Sequence, residues 1–371
     1  MRRWNGFFVF VKMFSLTLMM RIFKMGKILV SAVYLYGDRC GKMPPIKKGG
    51  IFLKPFKTID EQIQLLKARN LVIKNEEQAK DYLLSNNYYN IINGYSKYFP
   101  QSGNCYTNAT TFDEVSRLYL FDKELKQTLF KAIIGIESHL KSIFAYHFAE
   151  RYRDKIYAYL NIECYAKDKT LSVISTIARL SQIINKQQKF PNTSIHHYVN
   201  NHQDVPIWVL VNYIDFGELR NMLTSSIPAL QNEVAKDMHK FATQNLNLSN
   251  ADIFHPEVMM SFVENINELR NVCAHNNRLL DFKCRRDSKY WAVLHDKYGI
   301  KADDEKRNVF SVVISMQCFL SKREYATLHN TILNRIKSHL IKTITTASVD
   351  DILSTLGFPQ NWYNEPKIKI S

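Results

Sequence analysis

Glycine and proline are scarce in this chain, 12 and 10 of 371 residues, and nowhere do they gather with serine into a linker. That argues against tethered modules and for a compact, mostly helical protein. No Cys-x-x-Cys pair occurs. The six cysteines (Cys40, Cys105, Cys164, Cys273, Cys284, Cys318) are scattered and read as reduced packing thiols of a cytoplasmic protein. The chain lacks a Walker-type glycine loop, a Gly-x-Ser-x-Gly elbow and internal repeats. It also lacks any set of Asp, Glu and His at convincing metal-ligand spacing, so a two-metal nuclease fits poorly and no cofactor or metal is expected. His196, His197 and His202 are irregularly spaced and read as loop histidines rather than ligands.

Charge is present in excess, a formal +16, which suits a polyanion partner. Much of it is local. Residues 1–42 carry eight basic side chains against Asp38 alone, a net of +7, which leaves +9 for residues 43–371. The apolar runs Phe7–Val11 and Met13–Met20 imitate a membrane or signal segment, but Lys12 splits them and Arg21 and Lys24 close them. No uncharged span reaches membrane length. Residues 1–42 read as an atypical extension, with Met43 as the initiator or, alternatively, as a basic amphipathic anchor. A membrane is not the expected partner.

From Ile59 onward the apolar residues recur at helical steps. Thr58 with Glu61 reads as a capping box, and Asn75 with Gln78 opens a second helix. An aromatic segment follows, including Tyr82, Tyr88, Tyr89 and Tyr95. Tyr88 and Tyr89 could stack on unpaired bases, or such rings could simply pack. Residues 99–111 read as a loop. The spacing of Leu118, Phe121, Leu125, Leu129, Ile133, Ile136, Leu140, Phe144 and Phe148 predicts one long helix over Phe112–Tyr152, the spine of a bundle. Glu137 lies beside its stripe, as a surface ion pair or as a partner for an active-site base. His139 and His147 are peripheral by the same phase. Pro206–Ile214 reads as a buried helix ending at Asp215–Gly217. Val309–Phe319, Glu324–Leu340 and Val349–Leu356 complete the helical set, with Ser348 as a cap and Gly357 as a stop.

One more helix begins near Pro256. Met259, Phe262, Ile266, Leu269 and Cys273 form its apolar stripe, and Glu264, Asn267, Asn271, His275 and Arg278 lie opposite, with Arg270 on the flank. Such a face can be nothing more than the solvated side of an amphipathic helix. Its chemistry nevertheless suits phosphodiesters. Imidazole both takes and gives a proton near neutral pH, guanidinium forks onto phosphate oxygens, and a carboxamide orients either without titrating.

The segment Arg270–His275 has the Arg-x4-His form, with Asn after Arg, and resembles the motif of the HEPN superfamily of all-α ribonucleases. Leu269–Leu279 as a whole resembles the signature of Abi-like (abortive infection, AbiD/AbiF type) proteins. Further blocks resemble that family in order: Lys54–Asn70, Asn87–Tyr95, Phe121–Leu125, Ile136–Lys141, Pro206–Trp208 with Asp215–Gly217, and Gly357–Trp362. The likeness covers roughly residues 51–363 and departs at Asn70, where the family carries Gly, a difference that bears on turn geometry. The resemblance implies an all-α, HEPN-like helical bundle with added N- and C-terminal helices, a domain over 43–371 and a HEPN core at about 112–340. It implies a metal-independent endoribonuclease of bacterial anti-phage defence, acting at a composite site in a homodimer. Arg270, Asn271 and His275 would be catalytic, Arg278, Asn267, Tyr88 and Tyr89 would contact RNA, and Glu137 would support the site. The partner would be tRNA, a phage transcript or a small noncoding RNA. The alternative is a protein that holds or senses a small RNA without cutting it.

Overall fold

The computed structural model describes residues 46–48, 51–53, 56–249 and 251–369; the expected extension over 1–42 lies outside them. Within these residues the architecture is all-α, with two antiparallel pairs of short strands, β1 (Ile46–Lys48) with β2 (Ile51–Leu53) and β3 (Gln101–Ser102) with β4 (Cys105–Tyr106). The chain divides into two compact units. One runs to Tyr88 and includes Phe99–Phe112, and the other comprises Tyr89–Tyr98 with Asp113–Ser371.

In the first unit, α1 (Ile59–Ala68) starts on the expected capping box. The Thr58 hydroxyl accepts from the Glu61 N–H, and the Glu61 carboxylate accepts from the Thr58 N–H. Asn70 ends it at φ 61°, a left-handed conformation that glycine, and next to it asparagine, adopts at least cost. The departure from the family's Gly therefore leaves the turn intact. The Asn75 side chain caps α2 (Glu76–Asn86) through the Gln78 N–H. Segment 99–111 is not all loop, because β3 and β4 pair across Gly103. The Val72 N–H donates to Thr110 and the Phe112 N–H to Val72, each at 2.9 Å, which ties α2's leader to the start of the long helix.

The second unit is built along that helix, α3 (Phe112–Arg151), 40 residues and so roughly 60 Å long. The apolar positions expected of it, from Leu118 to Phe148, are buried. Beyond it come α4 (Thr170–Gln187), α5 (Ser194–His202), α6 (Ile207–Leu210), α7 (Phe216–Ser225), α8 (Pro228–Asn245), α9 (Pro256–Ala274), α10 (Ala292–His295), α11 (Val309–Ser315), α12 (Lys322–Ile336) and α13 (Val349–Ser354). Cross-helix pairs fix directions. His147 and Arg151 of α3 meet Asp237 and Glu233 of α8, so the two run antiparallel. Glu124 and His139 meet Arg335 and Glu324, so α12 also opposes α3. His139 and His147 are therefore not peripheral. His139 Nδ1 lies 2.9 Å from the Phe319 carbonyl with its ring stacked on Phe241, and His147 Nε2 lies 2.7 Å from Asp237. His196, His197 and His202 sit on α5, not in a loop.

Candidate active site

Helix α9 opens with Pro256 at its first position, where a missing N–H costs nothing, and packs against α7, α8 and α11. Met259, Phe262, Ile266 and Leu269 are fully buried, as the stripe requires. Three packed neighbours widen the buried arc beyond that stripe. Val263, Asn265 and Asn267 are buried as well, Asn267 at 6% exposure. This corrects the expectation that Asn267 shares the open face with Asn271 and His275. Cys273 is only half-buried, and burial pushes its thiol up to about 12.

The helix ends sooner than the sequence pattern suggests. Ala274 is its last residue, and His275 is the C-cap (φ −89°, ψ 7°), its N–H donating to the Asn271 carbonyl at 3.0 Å. Asn276 then turns left-handed at φ 54°. His275 and Asn271 are exposed, and Arg270 is half-buried one turn back. The Arg270 guanidinium lies 6.0 Å from the Phe130 ring centroid and donates from Nη1 to the Asn271 amide oxygen at 3.4 Å, while its buried Nε has no protein partner. The Arg-x4-His motif thus places an open imidazole, an amide and a partly free guanidinium at one helix end.

Arg278 lies beyond the helix and is turned to structural work. Its Nη1 donates to the Gly94 carbonyl at 2.7 Å and its Nε to the Leu280 carbonyl at 3.3 Å, with the guanidinium 5.9 Å from the Tyr98 ring. Two of its donors are committed, and Nη2 faces Asp281 at 4.0 Å, before any phosphate arrives. Lys97 and Tyr98 both bond Asp281 in the same corner. Glu137 pairs with Lys141 at 2.7 Å, and no bond joins it to Arg270. Tyr89 is exposed; Tyr88 is half-buried with its hydroxyl sealed and unpartnered, and burial raises its pKa. The structure thus brings together Arg270, Asn271 and His275, and leaves Asn267, Arg278 and Glu137 with other partners or buried.

Two groups that sequence reasoning missed hold this site. Asp122, fully buried on α3, accepts the Leu279 and Leu280 N–H groups at 2.9 and 3.3 Å and pairs with the buried Lys126 at 2.8 Å. Lys126 reaches the Asn276 carbonyl at 3.4 Å. The chain on the far side of His275 is thereby clamped to α3. With Phe130 beside Arg270, Lys126 beside Asn276 and Asp122 beside Leu279, α3 and α9 run antiparallel through the site. The second group is Asp215. It does not end a helix, as expected, but starts α7, its carboxylate accepting the Glu218 N–H at 2.9 Å. The Asp215, Glu218 spacing is itself a capping signal. Burial pulls the Asp215 carboxyl up, but hydrogen bonds from Glu218 and Gly217 and the Arg270 charge outweigh it and hold it below its ordinary value. Burial and the shared bond with Asp215 raise Glu218.

Among the described residues, no group of three or more His, Cys, Asp or Glu side chains could hold a metal ion, and no helix is long and apolar enough to cross a membrane. Neither a curated protein nor a solved structure matches the chain. A family model described as Abi-like protein matches residues 81–281, which span Asp122, Asp215 and the whole Arg270–His275 motif. The chain belongs to the Abi-like protein family.

Proposed function

We propose that this protein is a metal-independent endoribonuclease of the HEPN type that acts in abortive-infection defence. The observation that carries the reading is the open His275 imidazole on the last turn of α9, beside a half-buried Arg270 whose Nε has no partner. His275 takes the proton of a ribose 2′-hydroxyl, and the 2′-oxygen forms a bond to phosphorus. The bond from phosphorus to the 5′-oxygen breaks, and that oxygen receives a proton from a second imidazole. Arg270 balances charge on the phosphorane and Asn271 positions the oxygens. One chain supplies one such imidazole, so a two-fold dimer that apposes two α9 ends completes the acid and base pair. The products are a 2′,3′-cyclic phosphate and a 5′-hydroxyl.

The test is purified protein with RNA in EDTA, followed by end-group analysis. Cyclic phosphate ends are expected from the wild type, with a loss on the order of 100-fold or more in His275→Ala. Cutting by that variant at the wild-type rate overturns the assignment. Tight binding without scission by the wild type would instead identify a protein that holds or senses a small RNA.

A further inference from the structure

A groove of about 900 Å³ opens on α3 beside the segment that leads into Asp215. Its floor is made of small side chains, Ser138, Ser142, Ala145 and Ala149, with Val211. Trp208, 57% exposed, and Tyr146, 63% exposed, also line it, the Tyr146 ring edge-to-face with His147 at 5.1 Å. A groove lined by small side chains and two exposed aromatic rings suits flat rings rather than a bulky aliphatic group.

The rim carries one carboxylate, Glu150, 3.8 Å from His147, and two groups that suit a nucleotide. Arg153 is exposed and commits only its Nε, to the Glu150 carbonyl at 3.4 Å, which leaves the fork of its guanidinium for phosphate. Asn212 donates its amide nitrogen to the Trp208 and Val209 carbonyls at 3.1 and 3.3 Å. Its oxygen remains as an acceptor for the amino group of a base. From Ser138 to Glu150 the lining follows α3 for about 18 Å, enough for several nucleotides. The groove lies farther along α3 than the candidate active site, with Ser138 about 12 Å past Phe130, the residue beside Arg270. Lys141 in its lining donates to the Ile214 carbonyl at 2.6 Å. The next residue, Asp215, lies in the field of Arg270.

We propose that this groove is a binding site for unpaired RNA bases, stacked on Trp208 and Tyr146, and that it selects substrates carrying a single-stranded segment several nucleotides away from the scissile phosphate. The proposal deepens the ribonuclease reading and rests on it for the word substrate. The binding itself does not require cleavage.

The experiment therefore separates the two. Binding is measured on full-length His275→Ala protein with a fluorescent single-stranded 12-mer of RNA and with a blunt duplex. Stacking contributes about 1–3 kcal/mol per base, or roughly 5- to 150-fold in affinity. Trp208→Ala is expected to weaken the single-stranded probe at least 5-fold and Tyr146→Ala by a smaller factor, with the duplex unaffected. Trp208→Phe, which keeps a ring, is expected to recover most of the loss. Both side chains are exposed, so folding is not at risk, and circular dichroism checks it. Unchanged binding of the single strand overturns the proposal. So does a change in sedimentation with no change in binding, which would make the groove a contact between two copies of the chain. In the otherwise wild-type protein, Trp208→Ala is expected to spare cleavage of a dinucleotide, too short to reach the groove, while reducing kcat/KM on the 12-mer. If nothing is cleaved but the binding pattern holds, the ribonuclease reading fails and the groove stands.

Discussion

Asp122 on the long helix accepts the Leu279 N–H at 2.9 Å across 157 residues of sequence, four residues past the imidazole of the candidate active site. That bond, with the Lys126 contact to the Asn276 carbonyl, means the position of His275 is set from two sides. Helix α9 carries it from behind and the α3 clamp holds the segment in front. An exposed imidazole on a helix end would otherwise fray with the last turn. A buried carboxylate is costly in itself, but the Lys126 ammonium and the two N–H groups offset its desolvation.

The clamp gives a stability prediction. Asp122→Ala leaves Lys126 charged in a buried setting with no counter-ion and orphans two N–H groups, so a loss of about 3–5 kcal/mol is expected. Urea unfolding measures it. A loss under about 1 kcal/mol would show that water replaces the carboxylate and that the clamp holds little.

The two arginines near the motif are expected to separate cleanly. Arg270→Ala removes a group with an unpartnered Nε and one long bond to Asn271, so RNA scission should fall by at least 100-fold with little change in the melting temperature. Arg278→Ala breaks the bond to the Gly94 carbonyl and the corner shared with Asp281, so a melting temperature lower by several degrees is expected, with any loss of activity following the loss of fold. Thermal melts paired with cleavage rates check both. The reverse pattern would restore Arg278 as a phosphate contact.

The helical skeleton was legible because its signals are local. The Thr58 box, the Asn75 cap and the apolar stripe of α3 each depend on residues within one or two turns. The motif was legible for the same reason, since Arg270 and His275 share one helix end. What was not legible depends on partners distant in sequence. Asn267 has the phase of a surface residue, and its burial follows from how many helices surround α9. Arg278 fits the helical period, yet Asn276 turns left-handed and sends it toward Gly94. Asp122 and Lys126 have the i,i+4 spacing of an ordinary ion pair, and only the long-range contact with Asn276 and Leu279 marks them as part of the site. Asp215 is a different case. Its capping signal was present, but the apolar run before it carried the reading past the boundary.

Acid should destabilise the second unit through two buried imidazoles. Burial lowers the pKa of His295, which is fully enclosed with an unpartnered Nε2, and burial likewise lowers that of His329. Both are held neutral in the folded state and bind protons more readily when unfolded. Their contribution is therefore complete above the ordinary value of 6.5 and is lost as pH falls below it toward the folded values. The melting temperature of the wild type should drop between pH 7.5 and 5.5. His295→Phe, which has nothing to protonate, should show a shallower drop whatever its absolute stability. An unchanged slope would mean that the ring is hydrated.

Asp215 carries two roles that one substitution can divide. As the N-cap of α7 it accepts the Glu218 N–H, a role that Asn performs as well. Its carboxylate also lies in the field of the Arg270 guanidinium, which helps to hold it below its ordinary pKa, and Asn carries no such charge. Asp215→Asn should therefore keep stability within about 0.5 kcal/mol of wild type, while cleavage falls as the carboxylate charge near the guanidinium is lost. Asp215→Ala should lose the activity and about 1 kcal/mol besides. The pH profile adds a readout that a purely structural cap would not move, since any acidic limb due to Asp215 disappears in the Asn variant. Wild-type rates and an unaltered profile in Asp215→Asn would reduce this residue to a cap.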